Sequence, residues 1–301
     1  KTNAFSIAGP RSLARLAVLK SDRRSSPRKK KPPPPDIERA PKAHGETSNP
    51  VAARISPRRK WLFRLLALTV VPILCLAAAE MALRLARYGY PTDYFLRQRI
   101  GNREVFVEND QFARRFFPPR LARRPIPMVL DSAKANGVYR IFVLGESAAM
   151  GDPDPSFSFG RILEVLLRER FPGARFEVIN LAFTAINSHV ILPLARECAR
   201  HDGDLWIVYM GNNEVTGPFG PGTVFGGPSL NLNLIRASLA LKSLKTGQLL
   251  ESLQQRLNAS TAASNTWAGL QMFRENQIQQ SDPRMQKVYA HFERNLNDIL
   301  D

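Results

Sequence analysis

Residues 138–161 read VYRIFVLGESAAMGDPDPSFSFGR, and the fold prediction starts from them. The first part is a short apolar run rich in β-branched and aromatic residues, which predicts a buried strand of a parallel sheet. Gly145, Glu146 and Ser147 break this run, and small residues follow up to Gly151. A turn of small residues after a buried strand is where α/β folds place their chemistry. Ser147 is therefore a candidate nucleophile whose own N–H could bind an oxyanion.

The turn after this strand has other interpretations. Ser147 could simply cap a helix, and this interpretation stays open at this point. A nucleotide-binding P-loop is excluded, because it requires Lys followed by Ser or Thr after its glycines and the stretch contains no Lys. A dinucleotide-binding fingerprint is excluded because it requires three closely spaced glycines, and only Gly145 and Gly151 are present.

A β-α alternation continues downstream of this stretch and predicts a parallel sheet covered by helices, a three-layer α/β/α domain over 137–301. Right-handed crossovers bring the carboxyl ends of all its strands to one edge, so the segments that follow the strands should meet there. The predicted strands are 138–144, 176–181 and 205–210, and the predicted helices are about 160–171, 188–200, 230–257 and 284–300. The helix at 230–257 carries a leucine face that would serve as a lid or, preferably, as a packing face.

The segment after the third strand reads Gly211-Asn212-Asn213-Glu214. An amide side chain at a strand end is well placed to donate a hydrogen bond to an oxyanion. Asn also tolerates left-handed backbone, so the same residues could form an ordinary turn. Both interpretations stay open for Asn213 on the sequence alone.

Residues 1–60 form a basic, proline-rich tail that we expect to be disordered, because apolar residues are too sparse to build a core. This tail carries 16 Lys/Arg and 4 Asp/Glu, a net +12 of the +17 of the whole chain. Such a tail can contact nucleic acid or anionic lipid, but a role in setting membrane topology is favoured and nucleic acid is an unlikely partner. The two cysteines, Cys75 and Cys198, are not expected to form a disulfide.

Residues 61–79, WLFRLLALTVVPILCLAAA, predict a membrane-spanning helix that continues to about residue 87. Nineteen residues with one charge, Arg64, span about 28 Å as a helix, which is enough to cross a hydrocarbon core. Basic residues at 58–60 precede it, so the positive-inside rule places the N-terminus in the cytoplasm and the later domain outside it, in the periplasm. A signal peptide cleaved after Ala79 is the alternative, and an uncleaved anchor is preferred.

Residues 88–136 are predicted to be a juxtamembrane leader without chemistry of its own. Four aromatic residues near its start fit an interfacial aromatic belt. They are Tyr88, Tyr90, Tyr94 and Phe95.

The three strand-end segments together resemble the SGNH/GDSL hydrolase superfamily, and in particular a membrane-anchored bacterial subgroup with Gly-Glu-Ser-Ala-Ala-Met-Gly and Gly-Asn-Asn-Glu blocks. The segments are Gly145 to Ser147, Asn180-Leu-Ala-Phe-Thr-Ala185, and Gly211 to Glu214. The resemblance implies that Ser147 is the nucleophile. It also implies that the N–H of Ala185 and the side-chain amide of Asn213 complete an oxyanion hole.

The chain departs from the family pattern at three places. Glu146 replaces Asp, and Ala185 replaces a Gly, which is tolerable if φ at this residue is negative. None of the four histidines has Asp three residues before it, so the Asp-x-x-His block that supplies the general base is missing. His189 and His201 are expected at the surface or as caps. We expect a sequence truncated at its C-terminus, with this block beyond Asp301.

The function implied by the resemblance is that of a membrane-anchored serine hydrolase that acts on ester bonds through an acyl-enzyme intermediate. No cofactor or metal is expected, and the implied partners are an ester or acylated glycan and the lipid bilayer. Two alternatives stay open. One is an O-acyltransferase or deacetylase acting on a cell-envelope glycan, and the other is a non-catalytic scaffold that keeps the same fold.

Overall fold

The structure is a computed structural model that describes residues 56–227, 231–257 and 267–301. Most of the predicted disordered tail therefore lies outside the described residues. Its last residues begin a helix, α1 (Pro57–Leu85), which starts earlier than the predicted residue 61. Ser56 caps this helix by accepting the N–H of Arg59, and Pro57 supplies a fixed φ at the first helical position. Both features favour a helix start at this point.

Helix α1 is long and apolar enough to cross a membrane. It contains 29 residues, which correspond to about 43 Å of helix, and none of its most apolar window is buried against the rest of the chain. Pro72 lies inside the helix without ending it. Cys75 lies on this helix and Cys198 is buried in the domain, and both are free thiols, as the sequence indicated.

A small antiparallel sheet occupies the region that we predicted to be a leader. Its strands are β1 (Phe95–Ile100), β2 (Arg103–Glu108) and β3 (Val129–Asp131), in the order β1-β2-β3. Tyr94 and Phe95 are 0% and 7% exposed, so these two residues belong to the core and the prediction of an interfacial belt is wrong for them. The rings of Phe95 and Phe142 meet edge to face with centroids 6.3 Å apart, and this contact packs the small sheet against the central strand of the domain.

The central sheet is parallel, as predicted from the β-α alternation. Its strands are β4 (Val138–Gly145), β5 (Arg175–Asn180) and β6 (Leu205–Tyr209), in the order β5-β4-β6. Val143 of the central strand pairs with Asn180 on one side and with Ile207 on the other. The segments after the three strands therefore start from one edge of the sheet.

The remaining helices are α2 (Ser147–Met150), α3 (Phe159–Arg170), α4 (Ser188–Cys198), α5 (Leu232–Lys242), α6 (Lys245–Leu257) and α7 (Arg284–Leu300). The single helix predicted over 230–257 is thus two helices. The break falls at Ser243, whose hydroxyl donates to the carbonyl of Leu239 and so competes with continuation of the helix. Short 3-10 turns lie at Phe112–Arg115, Pro155–Phe157 and Gly269–Phe273.

The core explains why β4 is apolar throughout. Phe142 and Leu144 belong to the main buried cluster, which includes the apolar side chains of α4. Val143, whose side chain points to the opposite face, packs with Ala149 and Ala182 in a second cluster next to Phe159 of α3. Because both faces of the strand are covered, no position between 141 and 144 can be polar without cost.

Arg140 is a buried cation that joins three parts of the domain. Its side chain is 2% exposed, and its Nε donates to Oε2 of Glu177 on β5 at 2.7 Å. One terminal nitrogen donates to the carbonyl of His201 at 2.7 Å, and the other to the carbonyl of Asp131 on β3 at 3.4 Å. Arg140 therefore links the central sheet, the end of α4 and the small sheet.

We expect Arg140→Ala to lower the free energy of unfolding by about 3 kcal/mol, because it deletes a buried ion-pair partner and leaves acceptors without a donor. The measurement is urea unfolding of the detergent-solubilised protein, followed by tryptophan fluorescence. Arg161→Ala is the matched control. Arg161 is half exposed and pairs with Glu164 at the surface, so its loss should cost no more than about 0.5 kcal/mol. Equal effects of the two substitutions would contradict this assignment.

Candidate active site

Ser147 lies where the sequence predicts it, directly beyond the carboxyl end of the central strand. Glu146 is extended, and Ser147 is the first residue of the short helix α2, which ends at Gly151 with φ of 86°. A side chain at Gly145 would lie 2.5 Å from Cβ of Ala149 and 2.6 Å from the carbonyl oxygen of Tyr209. The glycine therefore allows the turn to pack closely, and the partly exposed Ser147 stands at its tip.

The side chain of Glu146 joins the first segment to the third. It is fully buried, and its two carboxylate oxygens accept the backbone N–H groups of Gly211 and Asn212, each at 3.0 Å. Burial raises the pKa of Glu146 to about 7, and the two N–H donors act against this rise. The residue before the nucleophile thus determines where the segment after β6 begins.

The second segment is fastened to the first through polar side chains. Nδ2 of Asn180 donates to the carbonyl of Ala149 at 3.0 Å, while its Oδ1 accepts the N–H of Ala182. The hydroxyl of Thr184 donates to Oδ2 of Asp152 at 3.3 Å. These bonds hold the backbone leading to Ala185 beside the turn that carries Ser147.

Ala185 adopts a left-handed backbone with φ of 65°. The condition under which Ala would be tolerable at this position, a negative φ, is therefore not met. In the left-handed region a Cβ crowds the following carbonyl, at a cost of roughly 1–2 kcal/mol. The conformation explains why a Gly would suit this position, and it means that this chain holds Ala185 in place with its surrounding contacts.

The third segment is bonded back to the second. Nδ2 of Asn213 donates to the carbonyl of Ile186 at 3.0 Å, and the carbonyl of Asn213 accepts the N–H of Gly217 at 2.6 Å. Nδ2 of Asn187 donates to the carbonyl of Pro218 at 3.0 Å. A primary amide carries two N–H groups, so Asn213 can use one for Ile186 and keep one for a ligand.

The segments carrying Ser147, Ala185 and Asn213 are thus joined to one another in pairs. The hydrogen bonds between the segments are made by the side chains of Asn180, Glu146 and Asn213, which are buried or partly buried. The three segments therefore form one unit at the sheet edge. Ser147, Ala185 and Asn213 therefore lie on three linked segments, each of which starts from the carboxyl end of a strand.

A buried polar network lies behind the third segment. The guanidinium of Arg236 on α5 donates to Oδ1 of Asn295 on α7 at 2.9 Å, and a guanidinium has no acceptor. This contact orients the amide of Asn295, so that its Nδ2 donates to the hydroxyl of Ser188 at 3.0 Å and to Nδ1 of His189 at 3.1 Å. His189 is consequently neutral, with its proton on Nε2.

The network ends on Glu214, the residue after Asn213. The backbone N–H and the hydroxyl of Ser188 donate to its carboxylate at 2.8 and 2.7 Å. His189 is 6% exposed, and burial lowers its pKa to about 3, so the expectation of a surface histidine is wrong. The sequence contains no signal for this network, because its members come from four distant segments.

The described histidines make no hydrogen bond to Ser147. Nδ1 of His189 is used by Asn295, and the ring of His291 lies 5.6 Å from that of His189. The ring of His201 packs against Phe95 with centroids 4.2 Å apart. Its carbonyl binds Arg140 near the start of β4, at the opposite end of the strand from Ser147.

Comparisons with known proteins find no matching family model and no matching curated protein. Among solved structures the chain is similar to AlinE4, described as an SGNH-hydrolase family esterase, with 22% identity over 41% of this chain and a TM-score of 0.24. A variant of that esterase with an Asp replaced by Ala matches at 19% identity over 53% of this chain, also with a TM-score of 0.24. The chain spans 57% of the first of these structures and 75% of the second.

We expect Ala185→Gly to raise the free energy of unfolding by about 1 kcal/mol, because Gly adopts φ of 65° without the steric cost that Ala carries. Thermal unfolding in detergent measures the effect. Ala182→Gly is the matched control. Ala182 is buried with negative φ, so its replacement should destabilise by about 1 kcal/mol. A destabilising Ala185→Gly would contradict the strain assigned to this residue.

The pKa of Glu146 predicts a pH dependence of stability. Its folded pKa of about 7 lies above the unfolded value of 4.5, so the folded state retains this proton after the unfolded state has lost it. The resulting stabilisation is complete below pH 4.5 and is lost as the pH rises through about 7. We expect the free energy of unfolding to fall across this window, and to fall less in Glu146→Gln.

Glu197 is also buried, with a pKa raised to about 7, and it contributes to the pH profile of both proteins. The difference between the two profiles therefore reports Glu146 alone. Urea unfolding at intervals from pH 4.5 to 8 provides the data. Identical slopes for wild type and Glu146→Gln would show that Glu146 titrates normally.

Proposed function

We propose that this chain is a membrane-anchored serine hydrolase of the SGNH/GDSL type that acts on ester bonds. The observation that carries the proposal is the link from Glu146 to Gly211 and Asn212, which ties the Gly-Glu-Ser turn to the Gly-Asn-Asn segment. Three sequence blocks of this family type are thereby brought to the end of one parallel sheet. The proposal includes a three-layer α/β/α domain of that superfamily, with α3 and α4 on opposite faces of the sheet.

In the proposed reaction the hydroxyl oxygen of Ser147 attacks the ester carbonyl carbon and transfers its proton to a general base. The carbonyl oxygen becomes an oxyanion that the N–H groups of Ser147 and Ala185 and the amide of Asn213 stabilise. Collapse of this intermediate breaks the bond to the alcohol, which takes the proton and leaves an acyl-enzyme. Water then attacks the acyl-enzyme carbonyl and gives a proton to the general base, and collapse of this second intermediate returns the proton to the oxygen of Ser147 and releases the acid.

The general base is not assigned to His189 or His201. His189 is neutral and its Nδ1 is occupied, while the carbonyl of His201 lies at the far end of β4. The resemblance assigns this role to a histidine of an Asp-x-x-His block, which these 301 residues do not contain.

The proposed location follows from helix α1. Arg58, Arg59 and Lys60 lie in its first turn, and the positive-inside rule places such a turn in the cytoplasm. The domain that follows α1 would then lie in the periplasm, with the bilayer and an ester or acylated glycan as partners.

Two alternatives use the same fold. An O-acyltransferase or deacetylase acting on a cell-envelope glycan would differ from the esterase only in its acyl acceptor or substrate. A non-catalytic scaffold is favoured by one observation, namely that none of the described histidines is bonded to Ser147.

Labelling with a fluorophosphonate probe tests for an activated serine, on the 301-residue chain and on any longer product of its reading frame. We expect covalent labelling of a product that carries an Asp-x-x-His block, and we expect Ser147→Ala to abolish this labelling. Ser156→Ala is the matched control, because Ser156 is an exposed serine on the following loop and should label as wild type. Asn213→Ala should reduce the rate of labelling by about 10²–10³-fold, since it removes an oxyanion donor.

The outcomes separate the candidate functions. Labelling confined to proteins that contain Ser147 supports a serine hydrolase or transferase, and product analysis with an acetylated glycan separates these two. A folded, longer product that does not label would overturn the enzyme proposal in favour of the scaffold.

A further inference from the structure

The helical hairpin α5–α6 presents leucine side chains to the outside of the domain. Six of them are between 41% and 83% exposed, at positions 234, 241, 244, 250, 253 and 257. The opposite face of α5 is buried through Ile235 and Leu239, and that of α6 through Gly247 and Gln248. Because the inward faces already pack on the domain, the outward leucines are a second apolar face. A face of this size needs a partner other than water.

The composition of this outward face is the reverse of that of an ordinary surface helix. Leu234, Ala237 and Leu241 follow one another at helical spacing on the exposed side of α5. The charge of Arg236 is directed inward, where it pairs with Asp298 at 2.6 Å. On α6 the exposed leucines repeat at 250, 253 and 257, the spacing of one helical stripe.

The hairpin is bonded to the end of helix α1. The carboxylate of Glu80 accepts the N–H groups of Lys245 and Thr246, at 3.0 and 2.8 Å, and the hydroxyl of Thr246 at 3.0 Å. Glu80 thereby caps the first turn of α6. Further along, the hydroxyls of Tyr88 and Ser252 are 2.8 Å apart. The corner between α5 and α6 therefore lies beside Glu80.

The position of Glu80 relates this corner to the proposed bilayer. Glu80 directly follows the apolar run 61–79, so it marks the level at which α1 leaves the hydrocarbon core. Leu241 and Leu244 flank the corner, together with Lys242 and Lys245. The ammonium of Lys242 pairs with Glu251 at 2.8 Å and that of Lys245 donates to the carbonyl of Tyr90 at 2.7 Å, so the two leucines are the groups that the corner offers to acyl chains.

We propose that the corner between α5 and α6, with the exposed Leu241 and Leu244, docks on the surface of the bilayer that α1 crosses. The inference rests on the proposed anchor, since α1 must span a membrane for Glu80 to lie at its surface. The bonds to Glu80 favour the bilayer as the occupant, because they hold the corner at the point where the helix emerges. A second copy of the chain is the competing occupant.

Depth-dependent quenching in proteoliposomes tests the proposal. In one sample an environment-sensitive fluorophore is attached to the native Cys75. Cys198 does not react with the label, because it is buried and its thiol pKa is raised. In other samples Cys75→Ser is combined with Leu241→Cys, Leu253→Cys or, as the control, Glu169→Cys on the exposed side of α3. Lipids with a nitroxide near the headgroup serve as the quencher.

We expect the label at 241 to be quenched at least two-fold by shallow nitroxide lipids. The label at 253 should be quenched less, because α6 runs from Glu80 toward Tyr88 and so away from the bilayer, and the label at 169 should be unaffected. Cys75 should be quenched best by a nitroxide deep in the acyl chain. Quenching at Cys75 without quenching at 241 would overturn the docking proposal and leave the anchor standing. Lack of quenching at Cys75 would refute both.

The same labels distinguish a second copy from the bilayer. If the hairpin binds another chain, the labels at 241 and 253 will escape lipid quenching. They will instead transfer energy between chains as the protein-to-lipid ratio rises. This result would replace the bilayer with a dimer interface.

Discussion

The candidate site depends on one buried carboxylate. Glu146 follows the central strand, and its two oxygens hold the backbone of Gly211 and Asn212 beyond the neighbouring strand. Strand β6 is an edge strand within the described part of the sheet, so neighbouring strands alone do not hold the segment that follows it. Burying a carboxylate is costly, and the two backbone donors offset part of that cost. Glu stands at this position where the SGNH/GDSL block that the segment resembles carries Asp.

The sequence predicted the central sheet and missed the smaller one, for identifiable reasons. Strand β4 is covered on both faces and is therefore a continuous apolar run, and β5 and β6 are recognisable by the helices between them. Strands β1 and β2 lie on the surface and carry Arg and Glu at several exposed positions, so neither shows an apolar run. The two-residue break between α5 and α6 depends on a side-chain bond of Ser243, which periodicity does not report.

The site shows the same division between local and distant information. The positions of Ser147 and Asn213 follow from strand ends, which short patterns identify. The left-handed backbone of Ala185 is imposed by its surroundings against its own preference, so the positive φ could not be predicted from the residue type. The proton position on His189 depends on Arg236 and Asn295, both far away in the chain, and it became readable only when the structure brought their side chains together.

The hydrogen bonds of Glu80 to α6 restrict how far the domain can move relative to helix α1. Many anchored enzymes hang from a flexible linker and sample a range of distances from the bilayer. In this chain, charge-assisted hydrogen bonds connect the last turns of α1 directly to the domain, and Tyr88 and Ser252 add a second attachment point. Within a membrane, such a connection would hold the sheet edge that carries Ser147 at one height above the lipid. For the proposed hydrolase, the height of Ser147 above the bilayer would then help to determine which ester groups it can attack.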